Sequence, residues 1–177
     1  YAPTVVFHSV MMVLMIACHY DLDLECLDIK NFYVRCEMGE EEVYMEQVPG
    51  WEEAPRGEYL YRLRKAMYGT KSASRKAQRK LTEMLKEAKF DPLKSDPMIF
   101  VREDKENVYK LAIICAWSDD LLCAGDKTLL SKMREVLHKN KFETVRTEEP
   151  KAYTGIQIDR ERNKRWMKIH QTQYTKE

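Results

Sequence analysis

The sequence predicts an α+β domain built on a mostly antiparallel sheet, and three observations carry that expectation. Apolar residues recur at helical spacing in some stretches and alternate, or run together in short blocks, in others. The two kinds of stretch interleave along the chain, which favours strands and helices sharing one core. No glycine-rich phosphate loop of the kind that opens a doubly wound parallel sheet is present.

Taken in order, Thr4 is placed to cap a helix that runs to about Tyr20 and is apolar on nearly every side. Residues 22–29 alternate, so Leu22, Leu24, Cys26 and Asp28 share one face if the segment is extended. Residues 43–48 form a weaker strand candidate, and Pro49, Gly50 and Trp51 make a turn. Residues 59–63 alternate again. Over residues 74–89, Ala77, Leu81, Met84, Leu85 and Ala88 fall at helical spacing, with Arg75, Lys76, Arg79 and Lys80 off that stripe. Two Asp-Pro pairs punctuate the loop that follows, and residues 98–101 read as a short strand. An apolar run over 111–117 is interrupted by Ser118, Asp119 and Asp120 and resumes over 121–124. Asp126 is placed to cap a helix with Leu130, Met133 and Leu137 inward, and a strand pair is expected around 153–158 and 166–170.

The chain of 177 residues is sized for one domain, and 44% apolar with 33% charged residues of mixed sign argues against wholesale disorder. A net charge of +1 hides a local asymmetry: residues 37–53 hold seven acids and no bases, whereas residues 56–80 hold nine bases and one acid. The basic stretch suggests a footprint for phosphates, although a charge run taken alone is more often a solvated face. The five cysteines are odd in number and form no CxxC pair, which speaks against a disulfide scaffold or zinc site and for a reducing, intracellular setting. The apolar segment 5–17 is too short to span a bilayer, so no membrane partner is expected. The abrupt apolar start and the ending in mid-pattern at Glu177 suggest a piece of something longer.

Asp119 and Asp120 are the strongest single pointer to chemistry. If both flanking runs are strands, their carboxylates project from a hairpin apex. Asp is a common turn residue, yet this apex lacks the glycine of the favoured two-residue turns, and adjacent anions repel unless a cation compensates. Turn and metal site stand at even odds on these residues alone. Asp28 shifts the balance, because a charge ending an apolar strand face is costly unless exposed or paired. A third carboxylate converging on the pair would suit hard divalent cations. Mg²⁺ takes one or two carboxylates plus substrate phosphates, and two ions about 4 Å apart clamp both oxygens of a phosphoryl transfer.

The ordered motifs resemble the reverse transcriptase domain of copia-type retrotransposons over essentially the whole chain. YAPTV from Tyr1 resembles Y/FSPV, LDIKNFY from Leu27 resembles MDVKTAF, and EEVYMEQVPGW from Glu41 resembles EEIYMEQPEGF. YRLRKAMYGTKSASRKA from Tyr61 resembles CRLKKSLYGLKQAPRQW, and SDPMIFV from Ser95 resembles SDPCVYV. AWSDDLLCAG from Ala116 resembles LYVDDMLIAG, and TGIQI from Thr154 resembles LGIEI. A bare Asp-Asp is weak, but seven blocks in order are specific.

The resemblance implies a polymerase palm, a ferredoxin-like antiparallel sheet with helices on one face, plus partial fingers, as a single domain over 1–177. The amino-terminal fingers, most of the thumb and RNase H would lie outside it. It implies Asp28, Asp119 and Asp120 as catalytic ligands of two Mg²⁺, with Mn²⁺ as a substitute. Tyr33 would be a steric gate against the 2′-hydroxyl, with the backbone near Asn31 and Phe32, and Ser72, beside the incoming nucleotide. Thr154 and Gly155 would grip the primer, and Lys71, Arg75 and Arg79 would face nucleic acid. Implied partners are an RNA template, a DNA primer, deoxynucleoside triphosphates and the integrase and RNase H parts of a polyprotein, in a cytoplasmic virus-like particle or the nucleus.

The departures point the other way. Phe32 replaces a small residue and threatens to crowd the nucleotide, Ser72 replaces Gln, Ser74 replaces Pro and Ala77 replaces Trp. Trp117-Ser118 stands for Tyr-Val, Thr154 for Leu and Arg35-Cys36 for the tight-turn pair Asn-Gly. A non-catalytic relic that folds and at most binds nucleic acid is therefore the alternative to an RNA-directed DNA polymerase.

Overall fold

The structure is a computed structural model that describes residues 2–104, 107, 110–173 and 175. Tyr1, which opens the first motif block, and Glu177 lie outside the described residues. Helix α1 (Phe7–Tyr20) leads into strand β1 (Asp23–Ile29) and the single turn α2 (Phe32–Arg35). A hairpin of β2 (Tyr44–Glu46) and β3 (Leu60–Arg62) precedes helix α3 (Ala73–Glu87). Then come β4 (Asp91–Pro92), β5 (Ile99–Glu103), β6 (Leu111–Trp117), β7 (Asp120–Gly125), helix α4 (Lys127–Lys139) and β8 (Thr144–Glu148). The chain closes with β9 (Ala152–Tyr153), β10 (Ile156–Glu161) and β11 (Trp166–His170).

Six strands form the main sheet in the order β4-β5-β6-β7-β1-β8, every neighbouring pair antiparallel. β9, β10 and β11 form a separate three-stranded sheet. The expected α+β antiparallel architecture is what the chain adopts. The helices do not all share one face, however. Along β6 and β7 residues of both parities are buried, which requires cover on both sides. α3 and α4 touch each other and lie on the face of Glu25, which Arg134 of α4 reaches. On the opposite face α1 crosses β6 and β7, beside the small sheet, whose Tyr153 hydroxyl donates to the Cys115 carbonyl at 3.1 Å. Helix α1 buries Val10, Val13, Leu14 and Ala17 and leaves the apolar Phe7, Met12, Met15 and Tyr20 exposed.

Most element expectations land within two or three residues. Asp126 caps α4 as expected, accepting from the Thr128 and Leu129 amides at 2.9 and 3.2 Å. Thr4 does not cap α1. The cap position is Val6, and the Val6 amide donates instead to the buried carboxylate of Asp96 at 3.0 Å. That carboxylate also accepts from the Met98 amide, so one acid in a Pro-containing loop fixes the start of a helix ninety residues earlier. The Arg35-Cys36 pair needs no tight turn, because Cys36 is extended and buried.

The small sheet is held to the main one by two arginines. Arg160, with its side chain 5% exposed, donates to Asp21 and Glu149 and to the Ala17 and Leu22 carbonyls. Arg162 adds Asp21 at 2.9 Å and Asp23 at 2.7 Å, and it holds the Asp21 carboxyl below the ordinary carboxylate range. Arg160→Met leaves buried acceptors unmatched and is expected to cost about 3 kcal/mol, read as a lower urea midpoint. Because the folded-state pKa of Asp21 is depressed, its contribution is present above the ordinary value and fades as pH falls below it. Asp21→Asn should therefore narrow the stability gap between parent and mutant on acidification, in unfolding curves at pH 7 and pH 3.

Candidate functional site

Register places the acids. Asp28, the penultimate residue of β1, is the direct partner of Asp120, the first of β7, so both side chains leave the same face of the sheet. Asp119 belongs to the two-residue loop between Trp117 and Asp120. Its carbonyl accepts from the Ile29 amide at 3.0 Å, which pins the hairpin apex to the end of β1. The turn contains no glycine because Ser118 takes the left-handed conformation, at φ 59°. Asn31 does the same at φ 54°, letting the chain leave β1 sharply and present Tyr33 to the apex.

Along β1 the three solvent-facing or buried acids differ in what they meet. Asp23 pairs with Arg162 and Lys127, and buried Glu25 pairs with Arg134 and Arg146. Asp28 has no such partner, and among the described residues neither does Asp119 or Asp120. Three carboxylates therefore lie near one another with no ion-pair partner among the described residues. Burial first, then Asp119 and Asp28, push the Asp120 carboxyl above its ordinary value. Tyr68 is raised by burial and by the charges of Asp119, Tyr33 and Asp28, so its phenol borders the same cluster.

Among the described residues, no group of three or more His, Cys, Asp or Glu side chains is placed so that it could hold a metal ion. What the three acids do offer is carboxylate oxygen, the donor type that hard divalent cations take.

The remaining predicted residues separate into two groups. Tyr33 lies at the site, its hydroxyl 2.6 Å from the Ser118 hydroxyl and its ring 4.5 Å from that of Tyr68. The Phe32 side chain is buried and packs on Phe142 with ring centroids 5.7 Å apart. Its bulk enters the core, although part of it also lines the small cleft beside Tyr33. Ser72 is also buried, beside Glu41, whose carboxyl it holds low together with Lys76 and Arg75. Ser72 also lines a surface pocket together with Glu41, Lys71, Ser74 and Arg75. Thr154 (φ 43°) and Gly155 (φ 82°) form the exposed turn between β9 and β10.

Sequence reasoning missed Tyr153, the residue just before that turn. Its buried hydroxyl donates to the Cys115 and Asp120 carbonyls, so it bolts the turn to the acidic hairpin. It missed Tyr68 as well, although YG in the fourth motif block was the available pointer. Lys71, Arg75 and Arg79 are all exposed at or on α3. Much of the charge asymmetry cancels across the β2–β3 hairpin, where Arg56, Arg62 and Lys76 pair with Glu46, Glu42 and Glu41. Arg79 and Lys71 keep no carboxylate partner among the described residues.

At one end of its antiparallel sheet the chain thus gathers three carboxylates that lack a cationic partner among the described residues. The sequence profile of the family described as Reverse transcriptase (RNA-dependent DNA polymerase) matches residues 1–177, and the chain belongs to that family. It is 31% identical over 175 residues to the Retrovirus-related Pol polyprotein from transposon TNT 1-94 of Nicotiana tabacum, covering 98% of this chain and 13% of that one. It is 30% and 32% identical to the corresponding polyproteins from transposons RE2 and RE1 of Arabidopsis thaliana, covering 90% of this chain and 11% of each. The chain thus spans only about an eighth of the length of these relatives.

The raised Asp120 carboxyl has a thermodynamic consequence. The folded state holds that proton more tightly than the unfolded chain, so a penalty sets in as pH rises through the raised value and persists above it. Asp120→Asn removes the penalty. In chelator-treated protein its Tm should exceed the parent's by about 1–2 °C at pH 7 and match it at pH 3. An equal gain at both pH values would show that the stabilisation is not electrostatic.

Proposed function

We propose that the chain is the palm and partial fingers of an RNA-directed DNA polymerase within a copia-type retrotransposon polyprotein, extending a DNA primer on an RNA template. The observation that carries the reading is the Asp28–Asp120 register with Asp119 at the adjoining apex and, among the described residues, no cationic partner for any of the three. Asp28, Asp119 and Asp120 would hold Mg²⁺, or Mn²⁺ in its place. When bound, such ions lower the pKa of the primer 3′-hydroxyl and neutralise the departing pyrophosphate.

The chain's own groups do the rest. The Asn31 and Phe32 backbone borders the triphosphate and the Tyr33 ring walls the sugar. The Thr154–Gly155 turn, fixed by Tyr153 to the acidic hairpin, holds the primer end at a set distance from the carboxylates. Lys71, Arg75 and Arg79 supply phosphate contacts that position nucleic acid without reading sequence. The integrase and RNase H parts of the polyprotein would act beside it, in a cytoplasmic virus-like particle or the nucleus.

A second reading, a relic that folds without catalysing, is favoured by the packing beside Tyr33. There Ser74 and Ala77 help line a cleft of about 80 Å³ in place of the proline and tryptophan of the family motif. Primer extension separates the two. Asp28→Asn and Asp119→Asn keep shape but lose charge, and each should abolish extension with the circular dichroism spectrum unchanged. A parent chain that extends no primer, even when joined to intact fingers, supports the relic. Reversing Arg75 and Arg79 together to Glu should weaken RNA and DNA binding alike. It should also lower the slope of log affinity against log salt by about 2, measured between 50 and 200 mM salt. An unchanged slope would leave the basic face as solvated surface.

A further inference from the structure

Tyr33 and Ser118 lie 85 positions apart in sequence, yet their hydroxyl oxygens are 2.6 Å apart and half-buried. Ser118 is also the residue that takes the left-handed φ closing the acidic hairpin, immediately before Asp119. A non-glycine residue in that conformation is strained, and strain held in place by the surroundings marks positions worth functional scrutiny. Asn or Gly would serve the turn with less strain. What serine adds is a short side chain whose hydroxyl meets the phenol.

The surroundings give the contact something to do. The Tyr33 ring is flanked on one side by Tyr68, itself more than half exposed and therefore a yielding wall. On another side is the cleft of about 80 Å³, to which Ala77, Ser74 and Ser118 contribute. Small residues at 74 and 77 leave room into which an untethered ring could swing. Phe32, the next side chain, is anchored in the core on Phe142 and offers only a tilted edge at 5.9 Å. The Ser118 hydroxyl is the one polar contact that fixes the phenol end of Tyr33 among the described residues.

We infer that Ser118 is a positioning residue: its hydroxyl latches the Tyr33 ring to the acidic hairpin and so sharpens discrimination between deoxyribonucleotides and ribonucleotides. The inference rests on the reading of the chain as a polymerase, but the latch itself does not. A ring whose position is fixed to the residue before Asp119 keeps a constant offset from the carboxylates, so a 2′-hydroxyl meets it in the same place at every turnover. A net hydrogen bond of ordinary strength corresponds to about a fivefold change in an equilibrium.

The test uses the reverse transcriptase with its flanking polyprotein segments, RNA template, DNA primer and Mg²⁺, with dCTP and CTP as probes. Ser118→Ala should lower the ratio of kcat/KM for dCTP over CTP about fivefold. Tyr33→Phe, which keeps the ring and removes its hydroxyl, should lower it equally, and the double variant should be no worse than either single. Ser118→Asn, which tolerates the left-handed φ and keeps a hydrogen-bonding group, should restore most of the ratio. Additive losses in the double variant, or an unchanged ratio in Ser118→Ala, would overturn the latch. Unfolding of the four proteins of the cycle is measured in parallel. A coupling of about fivefold between the two sites supports the latch even if the parent extends no primer, which would count against the polymerase reading alone. Zero coupling in unfolding overturns the latch whatever the activity.

Discussion

The antiparallel register between β1 and β7 is the constraint on which the rest depends. Side chains alternate across a sheet, so a slip of one residue would send Asp28 to the face of Glu25 and separate it from Asp120. The register is fixed from several directions. Cys26, Leu27 and Leu24 pair with Leu122, Leu121 and Ala124 in a buried centre. The Ile29 amide ties to Asp119 at one end. At the other, Gly125 approaches β6 so closely that a Cβ there would lie 2.3 Å from the Leu111 carbonyl oxygen. A hydrophobic centre thus sets the position of three charges at the rim.

Those charges are arranged against the interest of the isolated fold. Nearby acids show what the chain does when it needs a carboxylate for structure: Glu25 is enclosed by Arg134 and Arg146, and Asp21 and Asp23 by Arg160 and Arg162. Among the described residues Asp28, Asp119 and Asp120 are given no such partner, and burial together with the charges of Asp119 and Asp28 holds Asp120 above its ordinary pKa. Leaving like charges uncompensated costs folding free energy and creates a field that attracts cations. Tyr153 and Tyr33 extend the same economy, each spending its hydroxyl on the acidic hairpin or the residue before it.

Much of this was legible in the sequence, for identifiable reasons. The amphipathic stripe of α3, the Asp126 cap and the paired apolar runs of β6 and β7 are local patterns, and they read true. The proximity of Asp28 to Asp119 and Asp120 was legible from burial cost and motif order together. What failed depended on long-range partners. Thr4 lost its capping role to Asp96, a side chain ninety positions away. The packing of the Phe32 ring on Phe142 could not be taken from residue type either, because the backbone after a left-handed Asn31 sets the direction of the side chain. The Tyr153 anchor and the arginine clasp of Arg160 and Arg162 carry no periodicity, so nothing local announced them.

In the proposed function, Asp28, Asp119 and Asp120 form one open cation site that phosphates complete. The most direct measurement is anomalous diffraction from Mn²⁺ in crystals containing primer, template and a non-hydrolysable deoxynucleoside triphosphate. The account predicts anomalous peaks bridging the triphosphate and these three carboxylates, and their loss in Asp28→Asn. Ordered nucleotide with no peak at the three acids, or a peak held by other residues, would contradict it.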